Sequence, residues 1–334
     1  MELLLPLLTP LGIWDSLSAF GNSIMTPLYW VVSGLLVLFH YLWSPLLGAA
    51  SGWTWTLSIM SLTVVIRVVL IPLFVRQIHS SRNLQLLQPQ MRELQKKYGH
   101  DRERLGQETM KLYKEMGVNP AASCLPLILQ MPIFFALFYV LAGAAGGKPR
   151  GQWLLDRPNL VESLQDATIF GARISDKFWP VDPFSSVQVL TIILIVLMTI
   201  TLFITQLQLM RKNMPPEALT GPLAQQQKIM LYIFPLIFAV GGVNFPVGVL
   251  IYWLTSNLWT MGQQFYVIRR NPAPNTPAYA AWEARQRAKG HDVEMPQIRT
   301  RKTAAPSPLA TEPADPTRPV RQQPRRQPRA QRKP

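Results

Sequence analysis

A single guanidinium interrupts an otherwise apolar stretch, "TVVIRVVLIP", in which Arg67 stands among valines and isoleucines. Arginine keeps its charge at physiological pH and offers five N–H donors and no acceptor. At the centre of a bilayer that charge costs about 2.5–3.5 kcal/mol by insertion scales. Thr56, Met60, Thr63 and Arg67 recur every three or four residues, so on a helix they form one stripe. Gln130, Thr205, Gln206, Ser256 and Asn257 are the scarce polar groups of the other apolar runs. Side chains of this kind suit a hydrophilic pocket that receives something negative or polar. The competing reading has Arg67 bonded to helix carbonyls as a fixed packing element.

Residue sets for covalent or metal chemistry are missing from the sequence. The four histidines, His40, His79, His100 and His291, are scattered without metal-ligand spacing. "AGAAGGKPRG" misses a phosphate loop, because Ala142 stands where the first glycine belongs and Pro149 replaces the hydroxyl residue. No nucleophile, base and orienting group fall together, so no enzyme and no cofactor are expected. Cys124 is the only cysteine, which excludes a disulfide within the chain, and it lies too deep in the sequence for a lipoprotein signal.

The elements that must hold Arg67 are apolar helices. The chain has 334 residues, 49% hydrophobic and 15% charged, and carries a formal net charge of +15. Ordinary soluble proteins are about 25% charged. Lysine and arginine are absent from residues 1–52, and Arg67 is the only one in 53–75. Nine fall in 76–120, five in 147–184, three in 211–228 and fifteen in 269–334. Apolar runs at about 53–75, 124–145, 186–210, 229–242 and 247–268 contain no Asp or Glu. The longer ones can cross about 30 Å of hydrocarbon at 1.5 Å per residue. The expected fold is an all-α polytopic membrane protein, a five-helix bundle whose last two helices form a hairpin across "GGVNFPVG". The positive-inside rule puts residues 1–52 outside and the 76–120 loop and the tail in the cytoplasm.

Three further segments frame this core. Residues 27–47 are nearly long enough to span, but Tyr29, Ser33, His40 and Ser44 give them one polar edge, so an interfacial helix outside is expected. Residues 1–14 lack the basic start of a secretory signal and are broken by Pro6 and Pro10. Residues 80–117 repeat Leu84, Leu87, Met91, Leu94 and Tyr98, then Leu105, Thr109, Leu112 and Met116, with Asp101 placed to cap the second run. That pattern predicts a helical hairpin whose seam packs on itself or serves as a docking surface. Residues 271–334 are rich in proline and arginine, lack periodicity and are expected to stay disordered. Such a basic tail suits anionic lipid or the ribosome.

Several motifs in order, "TVVIRVVLIPL", "LQPQMRELQKKYG", "MKLYKEMGVNPAASCLPLILQMPIFFALFYVL", "QQQKIMLYIFPLIF" and "FPVGVLIYWLTSNLWTMGQQ", resemble the YidC family of membrane protein insertases. The likeness runs over residues 53–270, excluding much of 147–184, and is closest to short bacterial members without a large extracytoplasmic domain. It implies five core helices around a hydrophilic groove, with the groove arginine at Arg67, the hairpin in the cytoplasm and the interfacial helix outside. It implies a bacterial plasma membrane location and an insertase and chaperone function, with nascent membrane proteins as clients and the general secretion translocon as a further partner. Thr56, Thr63, Gln206 and Trp253 would supply weaker polar contacts in the groove. Met60, Met131, Phe134, Phe135, Phe138 and Leu250 would form an apolar slide, or else simply pack against lipid and core. Rival readings are a small-solute transporter or channel, which should show internal repeats that are not detectable here, and a membrane-anchored RNA-binding adaptor.

Overall fold

The computed structural model describes residues 11–119, 121–181, 184–215 and 222–291. The start of the N-terminal segment and the tail beyond residue 291 lie outside them. The described chain is mostly helical. Helix α1 (Leu11–Leu47) is followed by α2 (Gly52–Val69), where the Ser51 hydroxyl accepts from the Trp53 N–H at 3.3 Å. α3 (Ile71–Leu86) continues after a break at Leu70, so the run expected to be continuous over 53–75 is two helices. Pro72 explains the break, since it has no N–H to offer the carbonyl four residues earlier. A second proline, Pro89, opens α4 (Gln88–Tyr98), and the first arm of the 80–117 hairpin is therefore also divided. α5 (Arg102–Glu115) returns from Asp101, whose carboxylate accepts from the Arg104 N–H at 3.0 Å as its position predicts.

Three longer helices complete the bundle with α6 (Ala121–Ala145): α9 (Ser186–Asn213), α10 (Pro222–Gly242) and α11 (Val247–Arg270). α11 lies at the centre and packs on α2, α6 and α9, and α10 packs chiefly on α9. By length and composition Ser23–Leu47, Gly52–Val69 and Ser186–Asn213 are long and apolar enough to cross a membrane. Gln130–Ala145 and Lys228–Gly242 are shorter apolar helices. Residues 27–47, expected to lie at the interface, thus meet the length and apolarity of a span. α11 is long enough but carries Thr255, Ser256, Asn257, Gln263 and Gln264.

Between α6 and α9 the chain forms a cover. α7 (Gln152–Leu155) and α8 (Pro158–Asp166) precede the antiparallel pair β1 (Thr168–Ile169) and β2 (Ala172–Arg173), in register Ile169 to Ala172. Leu154, Leu160, Leu164, Ile169 and Ile174 fill its centre and join the core built on Trp55, Ile59, Val140 and Leu250. The cover seats on three helices. The Gly248 N–H donates to the Ile174 carbonyl at 2.7 Å and the Val247 N–H to Asp176 at 2.9 Å. A Cβ on Gly52 would lie 2.0 Å from the Thr168 carbonyl oxygen. Gly151, at φ +91°, lets the chain pass Ser33 and Tyr29 of α1, where a Cβ would come within 2.3 Å of the Ser33 hydroxyl.

α1 touches this same end of the bundle along much of its second half. Trp30 meets Trp153 at 5.7 Å between ring centroids. Ten residues on, His40 pairs with the Ala49 carbonyl at 2.9 Å and lies 4.2 Å from the Trp55 ring.

The expected boundary of the unstructured tail needs correction. Residues 277–287 form a further helix, α12 (Pro277–Arg287), which packs on α9 and α11. Thr276 caps it by accepting from the Tyr279 N–H at 3.2 Å, and proline occupies its first turn. Both are ordinary start signals, present in the sequence within a region whose overall composition argues against folding.

Candidate functional site

Arg67 sits in the last turn of α2, fifteen residues beyond Gly52 and hence about 22 Å along the helix axis. Because α2 stops at Val69, the guanidinium lies near the carbonyl end of a helix, where the dipole favours a cation by about 0.3–1 kcal/mol. The helix break therefore helps to hold the charge. Its Nη2 donates to the hydroxyl of Ser256 on α11. Tyr252, one turn earlier on the same face of α11, lies within electrostatic reach of the guanidinium. Among the described residues no carboxylate pairs with Arg67. The cation is met by neutral groups.

The predicted stripe runs from Arg67 along α2 toward the cover. Thr63 is 2% exposed and its hydroxyl donates to the Ile59 carbonyl at 2.7 Å. Thr56 is 5% exposed, and its buried hydroxyl has no hydrogen-bond partner among the described residues. Met60, between them, is half-buried against the core. The expected polar residues on other helices are placed differently. Gln206 is half-buried on α9 and has a partner of its own. Trp253 is enclosed by rings, with centroids 5.7 Å from Phe134, 4.8 Å from Phe238 and 5.4 Å from Phe245.

The expected slide residues divide in the same way. Met131 and Phe135 are open to the surface on α6, and Phe134 and Phe138 stack half-buried behind them at 6.4 Å. Leu250 is 1% exposed and packs beside Gly242 and Ile195, inside the core. Facing outward on α10 are Ile229, Ile233, Leu236, Ile237 and Val240, an apolar surface the sequence reading did not single out. Its signal was available, since positions 229, 233, 236, 237 and 240 fall on one face of a helix. Trp253 touches Phe134 of α6 and Phe238 of α10, so α11 forms the floor between those two helices. Ser256 was among the polar groups the sequence offered for a pocket, but its pairing with Arg67 and the nearness of Tyr252 were not apparent there. The spacing of four between Tyr252 and Ser256 marks a face of α11, but not which helix that face meets.

Comparison with known proteins gives this arrangement its context. A family model described as 60Kd inner membrane protein matches residues 46–274. A membrane protein insertase YidC of Streptomyces avermitilis is 46% identical over 295 residues, covering 86% of this chain and 67% of that one. That of Tropheryma whipplei (strain Twist) is 35% identical over 281 residues, covering 80% and 90%. That of Mycobacterium tuberculosis H37Rv is 35% identical over 263 residues, covering 72% and 71%. A crystal structure described as an active YidC insertase with its first transmembrane domain resolved aligns at 27% identity and a TM-score of 0.44, covering 71% of this chain. This chain spans 46%, about half, of that solved chain. The chain belongs to the 60 kDa inner membrane protein family, the YidC-type membrane protein insertases.

Proposed function

We propose that a polar segment of a newly made membrane protein enters beside Arg67, Ser256 and Tyr252 while its apolar segment follows the surface of α6 and α10. The observation that carries this reading is the guanidinium itself, half-buried among apolar helices and bonded to a hydroxyl, with no carboxylate beside it among the described residues. A client carboxylate 4 Å from it gains about 4 kcal/mol at an effective dielectric of 20. That matches the 2.5–3.5 kcal/mol cost of placing Asp in the hydrocarbon centre. One arginine therefore offsets the burial of one carboxylate and no more. The site is suited to short polar stretches passing one charge at a time. The unpartnered Thr56 hydroxyl and the largely satisfied Thr63 extend the polar path toward the cover without adding charge.

In this reading α2, α6, α9, α10 and α11 span the membrane and the cover lies outside, closing the groove at that end. The N-terminal region then also lies outside and the tail lies in the cytoplasm, in keeping with the fifteen basic residues of 269–334. α1 lies along the outer interface. Its contacts at Trp30 and His40 both fall at the cover end of the bundle, whereas a spanning helix would leave that end after a few turns. The α4–α5 hairpin projects from the opposite end.

Stalled nascent chains test the path. With a photoreactive amino acid in place of Met60 or of Met131, the polar part of a client should crosslink at 60 and its apolar part at 131. Crosslinks from both parts at 131 and none at 60 would exclude the polar route past α2.

A further inference from the structure

At the end of the bundle opposite the cover, α12 folds back and frames an open-sided cavity of about 460 Å³ against α9 and α11. Its volume lies within the range of about 300–1,000 Å³ typical of small-ligand pockets. Three cations line it, Lys212 from α9, Arg269 from α11 and Arg285 from α12, and none of its nine lining residues is acidic. One wall is apolar, with Phe265 and Ile268. The fold holds the cavity in shape: the Asn213 side-chain oxygen accepts from the Ala273 N–H at 2.9 Å, and Arg285 Nη2 donates to the Arg269 carbonyl at 3.1 Å. The remaining polar lining group is Gln208. It is 9% exposed, and its buried amide oxygen has no hydrogen-bond partner among the described residues.

Two helices independently give the depth of this cavity. Gln208 is 22 residues beyond the start of α9 at Ser186, and Arg269 is 22 residues beyond the start of α11 at Val247. At 1.5 Å per residue both lie about 33 Å from the cover end, which is the thickness of a hydrocarbon core plus the first headgroup atoms. A cavity at headgroup level, cationic on one side and apolar on the other, matches a phospholipid rather than a soluble anion or a nucleic acid strand. Basic pockets between helices at this level are suited to anionic lipid headgroups. The buried Gln208 oxygen adds a requirement, because it needs a donor and a phosphate diester has none to give. A glycerol headgroup has hydroxyls.

We propose that Lys212, Arg269, Arg285 and Gln208 form a binding site for one anionic phospholipid with a hydroxylated headgroup, of the phosphatidylglycerol kind. The phosphate lies between the three cations and a headgroup hydroxyl donates to Gln208. The inference rests on α9 and α11 spanning the bilayer, and not on the passage of clients past Arg67.

Native mass spectrometry of the full chain in mild detergent tests it, with phosphatidylglycerol, phosphatidic acid, phosphatidylcholine, glycerol 3-phosphate and a short RNA as separate probes. The wild type should retain one phosphatidylglycerol at least tenfold more tightly than phosphatidylcholine. Each of Lys212→Gln and Arg269→Gln should weaken it about fivefold, from roughly 1 kcal/mol per cation near an anionic surface. Arg285→Lys keeps the charge and should retain most of the binding, so a loss through Arg285→Gln alone is separable from undocking of α12. Gln208→Leu should remove the preference for phosphatidylglycerol over phosphatidic acid while leaving the preference over phosphatidylcholine. Equal retention of phosphatidylcholine by the wild type would overturn the site. Equally tight binding of glycerol 3-phosphate would reassign it to a soluble phosphate, and displacement of the lipid by RNA would reassign it to nucleic acid. The assay contains no client, so its failure leaves the insertion pathway untouched.

Discussion

Ser256 meets the charge of Arg67 from α11. Its hydroxyl accepts from the guanidinium, and its replacement by alanine removes that bond and leaves Tyr252 as the neighbouring polar group. Hydrogen bonds between membrane helices average about 0.6 kcal/mol and reach about 1.7. Ser256→Ala should therefore lower the thermal midpoint in detergent by only a few degrees, and an unchanged midpoint would show that the bond contributes nothing to the bundle. If the face is open to water, a chain carrying Cys124→Ser and Ser256→Cys should react with a membrane-impermeant maleimide from the cytoplasmic side. At the residue scale the sequence revealed much. Arg67, Thr63 and Thr56 stood out because the anomaly and the stripe are both local. The pairing of Arg67 with Ser256 did not, because it joins residues 189 positions apart, which no periodicity encodes. Trp253 and Leu250 were assigned to the groove and slide by type, but the rotation of α11 turns Trp253 into a ring cluster and Leu250 into the core.

Helix breaks and glycine contacts govern the elements. Pro72 and Pro89 divide runs that hydropathy reads as continuous, and both breaks follow from a missing N–H. The existence of the long helices and of the hairpin turn at Asp101 was legible, because apolar length and a capping residue act locally. The docking of the cover was not, since it depends on Gly52 and Gly248 meeting carbonyls more than 70 residues away. Gly52→Ala should therefore destabilise the fold by about 1–3 kcal/mol, the cost of overpacking a tight contact, read as a lower thermal midpoint. A midpoint equal to the wild type would mean that the cover does not bear on α2. α5 has no buried residue. Amide exchange across Arg102–Glu115 should accordingly be at least a hundredfold faster than in Ser186–Asn213, and equal protection would contradict an independently moving hairpin.

The distribution of charge is the property of the whole molecule that sequence shows best. Fifteen basic and five acidic residues in 269–334 attract any polyanion, and binding to RNA must weaken steeply with salt through counterion release. Residues 277–287 contribute a docked helix to this region. Detergent-solubilised protein should cosediment with ribosomes at low salt, and removal of residues 318–334 should sharply reduce it; unchanged cosedimentation would move the contact to the α4–α5 hairpin. The transporter and adaptor readings give way to the family match over residues 46–274. Insertion of one client into vesicles, with its translocated segment either acidic or neutral, tests that cation directly. Arg67→Ala should reduce insertion of the acidic form at least tenfold, about 1.4 kcal/mol, and leave the neutral form within about twofold. Arg67→Lys should restore at least a third of the acidic form's insertion, because the site needs a cation more than a planar fork. Equal insertion of the acidic client by wild type and Arg67→Ala would contradict the account.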